Sequence, residues 1–460
     1  MKPTIKLIVV VSLVLIAFTA CNKVLQVPLP VNEITEQSVF ADPGTISSAV
    51  AGMYTSAFHT SSMSFAVTEF GGYIADDLHS NSTYAAFAEF EDNGYTAQDP
   101  TIEAFWSSIY QVIYTTNNII NTLPGSTVIN SSLKTQYIGE AKFLRAYSYF
   151  YLTNFFGNIP LILTTSVSEN SSVKQSSKAV ILAQVIADLK DAETALQGSN
   201  NQTTLATSLA ASALLARTYL YTKDWANAEA SSTAVISSGQ FQLPTNLNSV
   251  FLRSSTESIF HIATDKFDPA TLNYTVIGAE LLPASGAAPN DVVTSELLNA
   301  FEPGDKRKAS WIGSINSGGA IYNYVNKYKQ SSPPADADSA EDIVVLRLGE
   351  QYLIRAEARA QENNISGSVA DLNVLRTRAG LPNLPSALTT ADLLLAVEQE
   401  RRVELFAEWA NRWFDLIRTG RADQVLGAEK PGIWKSKDAL FPIPYLEIKA
   451  NPALVQNPGY

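Results

Sequence analysis

Two short stretches in the middle of the chain decide its fold class. Residues 207–222 have the sequence TSLAASALLARTYLYT, residues 225–238 have the sequence WANAEASSTAVISS, and only Lys223 and Asp224 separate them. Apolar residues follow helical spacing in both stretches, and small alanines stand where two closely packed helices would cross. We therefore predict an antiparallel helical hairpin at this position.

A second pair of the same kind lies downstream. Residues 347–363 (RLGEQYLIRAEARAQEN) and residues 367–378 (GSVADLNVLRTR) again have helical spacing and a short connection. Such pairs resemble tetratricopeptide units, whose helix pairs stack at a period of about 34 residues. The similarity between the two pairs is loose, so we predict repeat-like hairpins and not a regular solenoid.

The rest of the chain extends this scaffold. Apolar spacing predicts further helices over residues 42–58, 101–123, 132–156, 179–196 and 390–419. Residues 71–100, rich in Gly, Asn, Asp and Tyr, are predicted to be loop.

Residues 240–342 have scattered Pro, Gly, Asn and Asp and no long helical pattern. We predict a mainly α fold with a helical scaffold of residues 101–239 and 343–460 and a loop-rich variable insertion of about 240–342. Residues 42–460 are predicted to form a single domain.

The N terminus has the pattern of a lipoprotein signal. Two lysines precede an apolar run over residues 7–18, and the only cysteine, Cys21, follows. The run is too short to cross a membrane, which takes about 20 residues, and one cysteine cannot form an internal disulfide. We predict a signal peptide of residues 1–20, lipidation of Cys21 and a lipid-anchored tether of residues 21–41.

Composition and motifs argue against several function classes. The chain has 44 acidic and 32 basic residues and a formal net charge of -12, whereas nucleic acid requires a basic face. Its three histidines and one cysteine lack metal-ligand spacing, and no phosphate-binding or nucleophile motif is present. We expect no nucleic-acid partner, no metal, no cofactor and no catalytic residue.

Two acidic regions could suggest chemistry. The acids within residues 76–92 could be paired glycosidase carboxylates, and those within residues 336–342 alternate as calcium ligands do. The second group lacks the glycine and distal glutamate of an EF-hand loop. We interpret both regions as solvated surface.

The segment ERRVELFAEWANRWFDLIRTG, residues 400–420, combines charge with an apolar surface almost all round. Glu400, Glu404, Glu408 and Arg412 share one helical face at four-residue spacing. A helix of this composition is buried, and its charges must then be paired inside the protein. We interpret these charges as structural.

This segment also resembles the ER…EL.FE..R.FDL.R.G pattern of the SusD/RagB family of outer-membrane nutrient-binding lipoproteins. Cys21 and three other segments are similar to the family in the same order. These segments are EAKFLRAYSYFYLTNFFGNIPLIL (140–163), the pair RLGEQYLIRAEARA (347–360) and LNVLRTRAGL (372–381), and LFPIPYLEIKANPALVQNPGY (440–460).

The resemblance implies a tetratricopeptide-like helical protein on the outer membrane of a member of the Bacteroidota, with its ligand surface in variable loops. It implies binding of oligosaccharide or polysaccharide, partnership with a SusC-like TonB-dependent transporter, and no chemistry. The same scaffold binding peptides or another nutrient is one alternative. A glycoside hydrolase, with two carboxylates about 5–10 Å apart, is another.

Sugar binding relies on aromatic planes that stack on C–H faces, with polar side chains that reach hydroxyls. Aromatic residues in loops are therefore the candidates. The predicted ligand-binding residues are Tyr73, Asp76, Asp77, Asn81, Tyr84, Tyr95, Trp311, Tyr322 and Tyr324. Four tryptophans on helical patterns are predicted to be core, namely Trp106, Trp225, Trp409 and Trp413.

Overall fold

The structure is a computed structural model that describes residues 36–58, 64–198, 202–264 and 273–460. The predicted signal peptide, Cys21 and most of the predicted tether lie outside these residues. Contacts divide the chain into a small unit that ends at Ser47 and a large unit, Ser48–Tyr460. No helix in the described ranges is long and apolar enough to cross a membrane.

The secondary structure is mainly helical. In chain order the described helices are α1 Glu36–Val39, α2 Pro43–Phe58, α3 Ser64–Ile74, α4 Ala85–Glu91, α5 Pro100–Thr122, α6 Ser131–Phe156, α7 Val167–Asn170, α8 Lys178–Ala195, α9 Ser208–Thr222, α10 Trp225–Ser237, α11 Val276–Leu281, α12 Ser295–Ala300, α13 Lys306–Trp311, α14 Leu348–Gln361, α15 Ile365–Ala379, α16 Thr390–Leu405, α17 Asn411–Arg418, α18 Ala422–Glu429 and α19 Tyr445–Ala450. The strands are β1 Leu78–Ser80, β2 Ile159–Pro160, β3 Gln175–Ser176, β4 Ser258–Ile262, β5 Asp291–Val293, β6 Ile312–Ser317, β7 Ala320–Val325 and β8 Ile343–Arg347.

Successive helices pack into a continuous scaffold. Helix α6 contacts α5 and α8, α9 contacts α8 and α10, and α14 contacts α10, α15 and α16. In the first predicted hairpin, Lys223 has φ 60° at the end of α9, and the Asp224 side chain accepts from Asn227 N at the start of α10. A left-handed residue followed by a capping aspartate reverses the chain in two residues. The predicted mainly α fold with repeat-like hairpins is confirmed.

One predicted helix is wrong. The last charged segment is not continuous, because α16 ends at Leu405 and α17 begins at Asn411. Between them Ala407, Trp409 and Ala410 have φ of 50°, 51° and 57°. Residues other than glycine rarely adopt this left-handed backbone conformation. No proline or glycine marks the break, so the apolar pattern alone predicted an unbroken helix.

Within residues 400–420, Glu404 and Glu408 are buried and paired, as the sequence predicted. Glu404 is fully buried and accepts from Arg307 Nη1 at 3.0 Å, from Arg347 Nη1 at 2.6 Å and from Arg378. Glu408 accepts from Arg347 Nε at 2.8 Å. We name these five residues the Glu404 cluster. Burial alone would raise the pKa of Glu404, but the charges of the three arginines hold it well below its ordinary value.

The variable insertion contains short strands and helices. Its strands lie in two-stranded antiparallel sheets: β6 pairs with β7 within the insertion, whereas β5 pairs with β1 and β4 with β8, which lie outside it. The predicted loop over residues 71–100 is wrong in part, because it includes the end of α3 and all of α4.

Three of the four predicted core tryptophans are buried, namely Trp106, Trp409 and Trp413. The prediction for Trp225 is wrong, because its side chain is only half-buried and lies at the edge of a cavity.

Candidate ligand-binding site

The short sheet β1–β5 joins residues 78–80 to the variable insertion. Ser80 in β1 lies opposite Asp291 in β5. Beyond the strand, Asn81 N donates to Asn290 O at 2.7 Å, and Asn81 Nδ2 donates to Pro289 O at 3.1 Å. Two hydrogen bonds from one residue fix the chain that leads to Tyr84.

The β6–β7 hairpin packs against β5. Its strands pair from Ile312 opposite Val325 to Ser317 opposite Ala320, which leaves two glycines as the turn. Positive φ at both turn residues matches the twist of the strands, and glycine adopts it without strain. Strand β7 contacts β5, and Ser317 Oγ donates to Gly286 O at 3.2 Å. Residues 81–84, 284–290 and 312–325 thus form one surface, which we name the loop face.

Tyr84 is the most exposed of the predicted ligand residues. Its side chain is 66% exposed, and its ring meets the ring of Phe87 edge-on at 5.5 Å between centroids. Phe87 in turn contacts Phe70 at 6.2 Å and Tyr73 at 6.0 Å. An open aromatic plane that is held from below is what a sugar ring can stack on.

Tyr322 and Tyr324 occupy alternate positions of β7 and therefore share one face of the hairpin. Both are half-buried. Tyr324 covers Gly313 on the paired strand so closely that a Cβ atom there would lie 2.2 Å from its Cζ. The missing side chain at Gly313 therefore creates the space for this ring.

Three predicted ligand aromatics are core residues instead. Tyr73, Tyr95 and Trp311 are all at most 2% exposed. Trp311 Nε1 donates to Leu247 O at 3.1 Å, and Lys327 Nζ lies 4.8 Å from the ring centroid. The interpretation of these rings as exposed loop aromatics is wrong, because regular elements bury them.

The acidic candidates are also buried. Asp76 accepts from Arg412 Nε at 3.1 Å and from Arg402, and Asp77 lies beneath the surface beside it. The interpretation of these two acids as solvated surface is therefore wrong. Asp76 and Asp77 are both buried, and Arg402 of α16 and Arg412 of α17 enclose Asp76. The two carboxylates are therefore not accessible to a ligand.

The calcium-like acids are likewise not a solvated loop throughout. Asp342 is buried and bonds to Arg253 Nη2 at 3.0 Å, and buried Glu341 accepts from Lys329 N at 2.6 Å. Across the described residues, no group of three metal-ligating side chains could hold a metal ion.

A buried acid pair, Glu69 and Asp291, joins α3 to β5. Tyr73 Oη donates to Asp291 Oδ1, and the carboxyl groups of Glu69 and Asp291 share a side-chain hydrogen bond. Burial raises the pKa of Glu69 well above its ordinary value, and the neighbouring Asp291 charge raises it further. Glu69 is therefore a protonated, neutral acid at neutral pH.

This proton makes stability depend on pH. The pKa of Glu69 is higher in the folded protein than its ordinary value, so its contribution to the free energy of unfolding is fully present below pH 4.5. That contribution declines as the pH rises, by up to about 1.4 kcal/mol per pH unit. Glu69→Gln, which mimics the neutral acid, is expected to lose less stability than the wild type between pH 5 and pH 8. Urea unfolding of both proteins at the two pH values measures this, and parallel losses would contradict it.

Comparison with known proteins identifies the family. The SusD family model matches residues 294–460, and a model described as starch-binding and associating with the outer membrane matches residues 31–220. The chain belongs to the SusD family. The SusD-like protein P38 of Formosa agariphila is 25% identical, over 85% of this chain and 86% of its own.

Solved structures of SusD-like proteins have the same fold. A SusD superfamily protein from Bacteroides vulgatus superposes with a TM-score of 0.80 at 21% identity, over 92% of this chain and 100% of its own. A laminarin-binding SusD-like protein superposes with a TM-score of 0.75 at 25% identity, over 91% of this chain and 100% of its own.

Sequence reasoning missed part of the candidate site of this SusD-like protein. It named neither Phe87, which supports Tyr84, nor residues 284–290, which join the two halves of the loop face. Gly286 and Pro289 marked that stretch as turns, but nothing local indicated that it would meet β1, more than 200 residues earlier.

Proposed function

We propose that this SusD-like protein binds a glycan on its loop face and delivers it, chemically unchanged, to a SusC-like TonB-dependent transporter. The observation that carries the proposal is the exposed ring of Tyr84, held by Phe87 beside the polar side chain of Asn81. Glycan binding is supported by the laminarin-binding relative with the same fold.

The proposal includes an outer-membrane location. Lipidation of Cys21 would hold the protein through acyl chains, and residues 21–41 would act as the tether to a domain that begins at residue 42. The match to a model described as associating with the outer membrane supports this location.

The two alternatives have less support. A glycosidase needs two carboxylates open to its substrate, whereas Asp76, Asp77 and Asp291 near the loop face are buried. A loop face without exposed aromatic residues would favour peptide binding on the same scaffold. Because Tyr84 is exposed, the loop face does not meet this condition.

The test is binding of the protein, from residue 22 onward, to a panel of soluble polysaccharides that includes laminarin. Tyr84→Ala is expected to weaken binding by a factor of roughly two to ten, because one aromatic stack contributes about 0.5–1.5 kcal/mol. Tyr322→Ala is expected to weaken it less, since that ring is half-buried.

Tyr445→Ala is the matched control, because Tyr445 is similarly exposed but lies outside the loop face. Equal loss in Tyr84→Ala and Tyr445→Ala would contradict the assignment of the loop face. Retention of peptides but of no glycan by the wild type would overturn the carbohydrate proposal.

A further inference from the structure

A cavity of about 620 Å³ opens in the helical scaffold. Residues of α9, α10, α14, α16, α17 and α18 or their adjoining turns surround it, and none of its lining residues belongs to the loop face. Its volume lies within the range of about 300–1,000 Å³ that is usual for small-molecule sites. We name it the scaffold cavity.

One wall of the scaffold cavity is apolar. Trp225 lines it from the start of α10, and Leu394 and Leu395 line it from α16, with Val397 beneath them. Leu395 is 51% exposed, and Trp225 is half-buried although it stands on a packed helix. Apolar surface is therefore accessible inside a concave site. Burial of an apolar ligand group there would remove apolar surface from water, which is favourable.

The acids of the lining already have partners. Glu357 receives two hydrogen bonds from Arg418, at 2.5 Å and 2.7 Å. Asp415 accepts from Arg401 Nε at 2.6 Å and from Arg418 Nε at 2.7 Å. These carboxylates have little capacity left for a ligand.

The third acid is similarly compensated. Glu398 Oε2 lies 2.6 Å from Arg421 Nε, and its other oxygen lies 3.4 Å from Arg412 Nη1. No acid of the lining therefore carries an uncompensated charge toward the cavity.

Unmatched donors remain. Arg401 is only 2% exposed, yet its Nη1 and Nη2 have no hydrogen-bond partner among the described residues. Lys223, exposed at the end of α9, has no ion-pair partner within the described parts of the chain. Buried donors without partners cost free energy that a ligand acceptor would recover.

We propose that the scaffold cavity binds an organic carboxylate with an apolar body. The carboxylate would accept from Arg401 and lie near Lys223, since charge-assisted hydrogen bonds to guanidinium are the strong ones. The apolar body would lie against Trp225 and Leu394. The site is separate from the glycan site, so the two can be tested independently.

The probes are 4-phenylbutyrate and 4-phenyl-1-butanol, which share the apolar body and differ in charge. Calorimetric titration of the protein from residue 22 onward is expected to show the carboxylate binding at least tenfold more tightly than the alcohol. Equal affinity for the two probes, or no binding of the carboxylate, would overturn the proposal.

Two variants remove the donors with little change to the fold. Arg401→Lys keeps a cation near Asp415 but removes both unmatched nitrogens. Lys223→Gly removes the ammonium at a position with φ 60°, where glycine is favoured. Each is expected to weaken 4-phenylbutyrate binding at least threefold and to leave the alcohol unaffected, and unchanged carboxylate affinity in both would contradict the proposed contacts.

Introduction of a negative charge, with a matched control, completes the test. Leu395→Glu places a negative charge at the cavity wall and is expected to abolish carboxylate binding. Leu446→Glu makes the same change at a side chain of similar exposure, 57% against 51%, outside the cavity. An equal effect of both variants would show that net charge, and not the cavity, governs binding.

Discussion

Replacement of Glu404 by alanine is expected to lower the free energy of unfolding by about 3–5 kcal/mol. The reason is that Glu404 is fully buried and compensates Arg307, Arg347 and Arg378 together. Without it these guanidinium groups keep their desolvation cost and lose much of their attraction. Urea unfolding followed by circular dichroism at pH 7 measures the change.

The control removes an exposed ion pair, whose loss is expected to change the free energy of unfolding only slightly. Asp191 is mostly exposed and pairs with Lys142 on the scaffold surface. Asp191→Ala is expected to cost at most about 1 kcal/mol, because exposed pairs are weak and screened. A loss at Glu404 no larger than the loss at Asp191 would show that the Glu404 cluster does not hold the segments together.

Gly71→Ala is expected to destabilise the protein by about 2–3 kcal/mol. A Cβ atom at Gly71 would lie 2.4 Å from Ala410 Cβ and 2.7 Å from Ala410 Cα. Ala410 belongs to the turn between α16 and α17, where backbone and not a flexible side chain would have to move. Thermal or urea unfolding measures the loss.

Two further substitutions test whether the contact between Gly71 and Ala410 causes this loss of stability. Gly52→Ala, in a helix with nothing within 4 Å of the added atom, is expected to stabilise by about 0.5–1 kcal/mol. Ala410→Gly removes one of the clashing atoms and suits φ 57°, so it is expected to recover part of the Gly71→Ala loss. Purely additive effects of the two substitutions would argue against the contact.

The helical scaffold could be predicted from sequence because its signals are local. The spacing within residues 207–238 and the short Lys223-Asp224 connection predicted a hairpin that the structure contains with nearly the same bounds. The charges of residues 400–420 could be predicted as buried and paired, since no solvated face was left for them. Their partners could not, because Arg307 and Arg347 come from distant segments.

The candidate site could be predicted only in part, because exposure depends on contacts between distant segments. Tyr84 and Trp311 both lie in regions that read as loop, yet one is open and the other is packed against Phe251 at 5.9 Å between ring centroids. The break at Ala407–Ala410 was hidden for a related reason. Three non-glycine residues there accept left-handed backbone that the surrounding packing imposes.

The turn of the β6–β7 hairpin has a consequence for how such proteins diversify. Gly318 and Gly319 form the tip, and a Cβ atom at either would meet nothing within 4 Å. Doubling the length of a flexible loop costs only about 0.6 kcal/mol in closure entropy. Insertions at this tip would therefore enlarge the loop face at small cost, while the helical scaffold beneath it stays the same.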